Sequence, residues 1–375
     1  MTILYTILGT YNSGGMERVL ANKVNYLANL GYEITIVTTD QKNRPSYFEL
    51  HSSIKQIDLG INYTDNLGKG VFSRVISYYK KLKIHQRKLK VLLFSLKPDI
   101  TISMFDNDAS FIPNIKDGSK KILEIHFSRF KRLQYARGGV WRWIDAYRSK
   151  TDINAVRKFD RFVVLTEEDK GYWGDLSNMC VIPNANSFES ERAALLQNKQ
   201  VLAVGRFDYQ KGFDDLIKIW AKVATQFPEW KLNIYGHGPL REDYERLIES
   251  LNLVESVQLH NPTKDIKDIY LRHSILVMTS RYEGLPMVLL EGQVCGLPMV
   301  SVTCKCGPKD IIEDGTNGFL IPEGDQDKFA DKLMLLMDDE TLRKKTGRSA
   351  YENSTLFSED EIMKKWIELF DAVLK

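Results

Sequence analysis

Short, continuously apolar runs separated by longer amphipathic stretches recur along the whole chain, and no other feature limits its fold as tightly. Runs such as RFVVLT (161–166) and SILVMT (274–279) show no alternation of polar and apolar residues. A strand that is apolar on both faces must be covered on both faces, which is the condition of a parallel sheet with helices packed on either side. Strands are expected at 3–8, 33–38, 100–104, 121–125 and 160–165, then at 200–204, 231–235, 256–260, 274–278 and 299–303. Segments of helical period lie between them at 16–30, 213–226, 240–252 and 326–338.

The alternation restarts once. After VIPNANS (181–187) comes the polar stretch FESERAALLQNKQ, and VLAVGRFD then opens a fresh strand. The expected fold is α/β, with two Rossmann-like doubly wound parallel-sheet domains at 1–185 and 199–355, joined by a linker at 186–198. Residues 356–375 are expected to pack back on the N-terminal domain. They hold a last helix at 358–374, opened by a capping box of Ser358 and Glu361. In such sheets ligands sit beyond the carboxyl ends of the strands, and a cleft between two of them is the expected active site.

Charge divides the chain. The first 185 residues carry 28 Lys and Arg against 18 Asp and Glu, so the remaining 24 basic and 31 acidic residues leave the second half acidic. The basic excess concentrates at 74–90 and 129–150, where Tyr, Trp and Phe interleave with Arg and Lys. Two readings fit: solvated helix faces, or a patch for a membrane surface or an anionic substrate. No nucleic-acid motif accompanies the charge. No apolar stretch reaches about 18 residues, so no span is expected. Met1 leads into ILYTIL rather than a leader peptide, and a chain of this size has only Cys180, Cys295, Cys304 and Cys306. Both point to a cytoplasmic, reduced protein. The CKC at 304–306 lacks further thiol or imidazole partners, so no metal site is expected there.

Three glycine-containing turns follow expected strands. GTYNSGGMER (9–18) places Gly14 and Gly15 before a helix, and serves equally as a plain turn or as an anion site. VGRFDYQKGFDD (204–215) sets Arg206 and Lys211 in one loop, which suits a diphosphate or simply a solvated surface. YGHGPL (235–240) could admit a nucleoside face or make a tight turn.

RYEGLPMVLLE (281–291) holds two carboxylates eight residues apart. On one helix they would differ by roughly 80° in azimuth and about 12 Å in height. Gly284 and Pro286 break the chain between them, and proline is tolerated in a first helical turn. A helix is therefore expected from about Pro286 or Met287, with Glu283 in the loop before it and Glu291 just over a turn inside. Free amides at that helix start would face a phosphate, and the carboxylates would reach sugar hydroxyls on either side.

Taken in order, GGMERVL (14–20), EIHFS (124–128), VVLTEED (163–169), VIPNAN (181–186), VGRFDYQKGFDDLI (204–217), YGHGPL (235–240), EGLPMVLLEGQVCGLPMV (283–300) and DGTNGFLI (314–321) resemble the retaining, nucleotide-sugar-dependent glycosyltransferases of family four, whose fold is GT-B. The resemblance covers essentially the whole chain. It implies that Arg206 and Lys211 bind the donor diphosphate, that Glu283 contacts the donor sugar and that Glu291 contacts the ribose. The amides of Gly284, Leu285 and Met287 would lie near the phosphates or sugar, Pro286 lacking one. Gly14 and Gly15 would close over the donor phosphate, and His126 would contact the donor sugar and organise catalysis. The base is expected beside Gly236, Gly238 and Asn261.

MFDNDAS (104–110) contains a DxD pair, read here as acceptor or capping residues rather than a metal site. Asp106, Asn107 and Arg129 are the candidate acceptor contacts. No metal or other cofactor is expected.

The implied reaction moves a hexose or N-acetylhexosamine from a nucleoside diphosphate sugar, UDP by default, to a hydroxyl acceptor. Retention would follow from a same-face internal return. The acceptor is expected to be a polyprenyl-diphosphate-linked glycan, as in capsule or lipopolysaccharide assembly, met at the inner leaflet through the basic half. A nucleotide-sugar epimerase or hydrolase, or a non-catalytic nucleotide-sugar-binding protein, are the competing readings.

Overall fold

The apolar runs become parallel strands in both halves of the chain. A computed structural model describes residues 1–66, 71–129 and 150–375. Its first sheet has seven strands: β1 (Thr2–Ile7), β2 (Glu33–Thr38), β3 (Lys55–Asp58), β4 (Ile100–Ser103), β5 (Lys120–Glu124), β6 (Arg161–Val164) and β7 (Met179–Val181). They lie in the order β3-β2-β1-β4-β5-β6-β7 and every neighbouring pair is parallel. The second sheet has six: β8 (Gln200–Val204), β9 (Lys231–Tyr235), β10 (Val257–His260), β11 (Ile275–Met278), β12 (Met299–Val302) and β13 (Gly318–Ile321). Their order, β10-β9-β8-β11-β12-β13, is again parallel throughout.

The two-domain α/β expectation holds, and every expected strand is present. Three further strands, β3, β7 and β13, are all at sheet edges. An edge strand packs on fewer neighbours, so its composition can stay mixed: β3 is largely exposed and β7 half-buried throughout.

The chain forms two units, Met1–Ile182 with Ile362–Lys375, and Pro183–Glu361. The stretch 186–198 is no free tether. Asn186 N donates to Phe357 O (2.7 Å), Ala194 N to Cys295 O (2.8 Å), and Arg343 Nε to Leu196 O (3.1 Å). These bonds tie it into the second unit, through backbone groups that its polar composition does not reveal.

Each unit has its own core. In the second, the helix Phe213–Ala224 turns Phe213, Leu216, Ile217, Trp220 and Val223 inward at the spacing of an amphipathic helix. Burying each of the large aliphatic side chains contributes about 1.5–3 kcal/mol. In the first, Leu89 and Leu93 of the long helix Val71–Leu96 belong to one buried cluster with Phe162 and Trp173. The last helix, Glu359–Leu374, is capped by Ser358, whose Oγ accepts from Glu361 N at 3.4 Å. From Ile362 onward it belongs to the first unit.

Strand order fixes where loops can converge. Each sheet reverses its winding once, between β1 and β4 in the first and between β8 and β11 in the second. The loops leaving those strands at their carboxyl ends diverge to opposite sides and open a crevice.

Candidate active site

In the second unit the loops after β8 and β11 bring one predicted cation and one predicted carboxylate, Lys211 and Glu283, together. Gly212 ends the first loop in a left-handed conformation (φ 63°), and a Cβ there would lie 2.3 Å from Thr279 O. Thr279 Oγ1 in turn donates to the carbonyls of Lys211 and Gly212. The loop tip is a 3-10 turn, Tyr209–Lys211, whose entry is capped by Asp208 accepting from Gln210 N at 3.0 Å. So stitched, Lys211 reaches across the switch point and its Nζ lies 2.6 Å from Glu283 Oε1. Gln210 Nε2 donates to Tyr282 O (3.0 Å) and approaches Glu283 Oε2 (3.4 Å).

Arg206 differs from Lys211 in its freedom. Its side chain is 68% exposed, against 17% for Lys211, and its only ion pair among the described residues is a loose one, Nε to Asp208 Oδ2 at 3.6 Å. One cation is thus held in place and the other projects into solvent, where an anion can displace water from it.

The helix after Glu283 begins where the proline predicts. It runs Met287–Val294 with Pro286 as its N-cap, and Leu289 N already donates to Pro286 O. Glu291 lies on its buried side and accepts from Tyr270 OH at 2.8 Å. The Gly284–Pro286 turn is backed by the loop after β12. Gly307 is left-handed (φ 95°), and a Cβ on it would lie 2.3 Å from Pro286 Cδ and 2.8 Å from Gly284 O.

Gly236 and Gly238 have a packing role that the sequence leaves open. A Cβ at Gly236 would lie 1.9 Å from Gly205 O, and one at Gly238 would lie 2.4 Å from Phe207 O. Phe207 N donates to His237 O at 2.8 Å. These glycines let the loop after β9 brace the Arg206–Lys211 loop. Asn261, just past β10, accepts from Arg241 Nη1 at 3.3 Å.

In the first unit, Gly14 is the N-cap and Gly15 the first residue of the helix Gly15–Asn29. A Cβ at Gly14 would lie 2.4 Å from Glu17 Oε2, and Glu17 Oε1 accepts from Asn12 Nδ2 at 3.1 Å. Burial pushes the Glu17 carboxyl up. His126 stands just beyond β5, two residues after Glu124 and on the same side of the strand direction. Its Nε2 is 3.0 Å from Glu124 Oε1.

The DxD residues diverge. Asp108 is buried and accepts from Thr6 Oγ1 and from Ser103 Oγ, the latter at 2.8 Å. Asp106 accepts from Asn107 Nδ2 at 2.9 Å, and its Oδ2 has no hydrogen-bond partner among the described residues. Burial, then the neighbouring Asp108, pushes the Asp106 carboxyl up to about 7. Arg129 is anchored: its N donates to Asp169 Oδ1 (2.9 Å), and its guanidinium lies 5.1 Å over the Trp173 ring. Apart from its ends, the basic stretch 129–150 falls outside the described residues.

Several residues that act here were not singled out in the sequence. Arg281 clamps the Lys211 loop, donating to Tyr209 O (2.7 Å), Asp214 Oδ2 (2.7 Å) and Asp215 Oδ2 (2.6 Å). Its place in the quoted stretch was a signal of a kind. Tyr270 and Gly307 gave none, because their partners are distant in sequence.

Two family models match adjoining stretches of the chain. Glycosyltransferase Family 4 matches residues 13–186, and Glycosyl transferases group 1 matches residues 187–353. The amylovoran biosynthesis glycosyltransferase AmsD of Erwinia amylovora is 30% identical, over 98% of this chain and 99% of that protein. A Campylobacter jejuni enzyme is 28% identical over 98% of both chains. Its name describes an alpha-1,4-N-acetyl-D-galactosaminyltransferase acting on GalNAc-alpha-(1->4)-GalNAc-alpha-(1->3)-diNAcBac-PP-undecaprenol. Among solved structures, an S. aureus TarM mutant in complex with fondaparinux, alpha-GlcNAc-glycerol and UDP superposes with a TM-score of 0.79. It is 19% identical and covers 98% of this chain and 99% of its own.

Proposed function

The chain is a glycosyltransferase of family four with the GT-B fold, and from that premise we propose that it moves a hexose or N-acetylhexosamine from a UDP-sugar to a hydroxyl of a polyprenyl-diphosphate-linked glycan, with retention of configuration. The observation that carries the reading is the Lys211–Glu283 pair, 2.6 Å apart across the switch point of the second sheet, with the exposed Arg206 in the same loop.

A leaving diphosphate needs cationic charge placed before it departs, and Arg206 and Lys211 supply it together with the start of the helix Met287–Val294. Lys211 also orients Glu283, so one side chain serves the phosphate and the carboxylate that addresses the donor sugar. Glu291 accepts from the ribose while keeping Tyr270. In the first unit, Gly14 and Gly15 cover the donor phosphate and His126 contacts the donor sugar. Because Glu283 is engaged by Lys211, it is a poor nucleophile for double displacement. This favours same-face return, with the departing phosphate taking the acceptor proton. No metal has a part in the scheme.

The donor assignment is tested by thermal shift with UDP-glucose, UDP-galactose and their N-acetyl counterparts, and with GDP-mannose as a control. One UDP-sugar is expected to raise the melting temperature in a concentration-dependent way. Stabilisation by the GDP-sugar alone would overturn the UDP reading.

The Campylobacter enzyme is named for an acceptor linked to PP-undecaprenol, which supports the lipid-linked acceptor, and AmsD is named for amylovoran biosynthesis. A surface of the first unit supports it too. No helix among the described residues is long and apolar enough to cross a membrane. However, Ile76, Lys80, Lys83, Arg87, Val91 and Phe94 of the helix Val71–Leu96 are all exposed and lie within about 80° of one another around its axis. Cations flanked by apolar side chains suit an anionic lipid surface. Vesicles containing phosphatidylglycerol are expected to co-sediment the protein at low ionic strength and release it in high salt. Absence of binding even at low ionic strength would refute the membrane reading.

A further inference from the structure

A buried charged chain runs from the C-terminal helix to His126. Trp366, on the helix Glu359–Leu374, presents its ring face to Lys23, whose Nζ lies 3.6 Å from the ring centroid. Lys23 Nζ is 2.5 Å from Glu124 Oε1, and the same oxygen is 3.0 Å from His126 Nε2. The side chains of Lys23, Glu124 and His126 are 5%, 1% and 6% exposed. All belong to the first unit.

Lys23 stands on the inner face of its helix among Leu20, Val24 and Leu27, where an apolar residue would pack without loss of hydration. An ammonium is tolerated there because a carboxylate meets it on one side and an aromatic face on the other. Burial lowers the Lys23 pKa. Burial also opposes charge on Glu124, yet the Lys23 ammonium, followed by His126, holds that carboxyl down to about 2. Among the described residues, Glu124 Oε2 has no hydrogen-bond partner, so the contacts of this carboxylate are Lys23 and His126. His126 itself has no aligned hydrogen bond at either ring nitrogen among the described residues. The charges that face its ring are Glu124 from β5 and Glu17 from the helix Gly15–Asn29, with Lys23 behind Glu124.

We infer that Lys23 and Glu124 are positioning residues for His126, and that Trp366 completes the arrangement by seating the Lys23 ammonium. The chain terminus thereby serves catalysis as well as packing. This rests on the reading of His126 as a donor-sugar contact.

The test measures kcat and KM with the UDP-sugar that most stabilises the fold, together with the NMR chemical shifts of the His126 ring at fixed pH. Lys23→Met is expected to lower kcat at least tenfold with KM for the donor within twofold. It should also displace the NMR resonances of the His126 ring at fixed pH. Lys23→Arg is expected to recover most of the lost kcat. Trp366→Leu should lose activity and add little to Lys23→Met in the double variant. A packing role alone would leave Lys23→Arg no better than Lys23→Met. Should Lys23→Met fail to fold, Lys23→Met with Glu124→Gln leaves no stranded charge and replaces it, with the same expectations. Wild-type kcat and unmoved His126 ring resonances in the folded variant would overturn the inference. His126→Ala, measured alongside, separates the two claims. If it keeps full turnover, the reading of His126 fails. If it is impaired while Lys23→Met is not, only the positioning inference fails.

Discussion

Lys211→Ala is expected to lower turnover by roughly 10²–10³-fold, the usual cost of removing a preorganised group from a developing negative charge. Glu283→Ala should cost a similar amount, because each residue holds the other at 2.6 Å. The double variant should be little worse than either single one, since groups acting as a unit are strongly non-additive. Stability separates the two roles of the lysine. Lys211→Ala leaves a nearly buried carboxylate without its cation and should lower the melting temperature. Adding Glu283→Gln removes that charge and should restore the melting temperature without restoring the rate. Initial rates and thermal melts on these four variants and the wild type decide it. A wild-type rate in Lys211→Ala would contradict the diphosphate assignment.

Asp106→Asn is expected to stabilise the first unit by an amount that depends on pH. The Asp106 carboxyl is raised to about 7, first by burial and then by Asp108, whereas in the unfolded chain it titrates near the ordinary value of about 3.9. Because the folded value is the higher one, folding favours the protonated form. The stability this group lends is complete below about pH 4, is lost as pH rises towards 7, and is absent above 7. Asparagine cannot ionise. The variant should therefore gain on the order of a few kcal/mol at pH 8 and little at pH 4. Urea midpoints across that range measure it, and an equal gain at both ends would trace the effect to packing. Phe105 beside it sits in the left-handed region (φ 55°), where a non-glycine residue is strained. Two costs side by side at the switch point of the first sheet fit the expectation from the sequence that Asp106 is an acceptor contact. If so, the stabilised variant should transfer more slowly.

The fold was legible because buried parallel strands cannot hide: a run such as ILVM at 275–278 must be covered on both faces wherever it lies. The edge strands β3, β7 and β13 escaped the same reasoning, and so did the anchoring of 186–198, because both depend on backbone pairing rather than side-chain composition. The start of the helix at Met287 was legible for a local reason, since proline restricts the chain at its own position.

The sequence by itself determined two parallel α/β sheets, the loops at their strand ends and the identity of the charged residues those loops carry. These follow from local chemistry: apolar periodicity, glycine and proline. Tertiary structure alone decided that Lys211 meets Glu283, that Glu291 holds Tyr270, that Gly307 backs the Gly284–Pro286 turn, and that Trp366 closes on Lys23. Those pairs lie between about 20 and 340 residues apart in the chain. No local preference couples residues so far apart; they meet because winding order places particular strand ends side by side and close packing then allows few other arrangements.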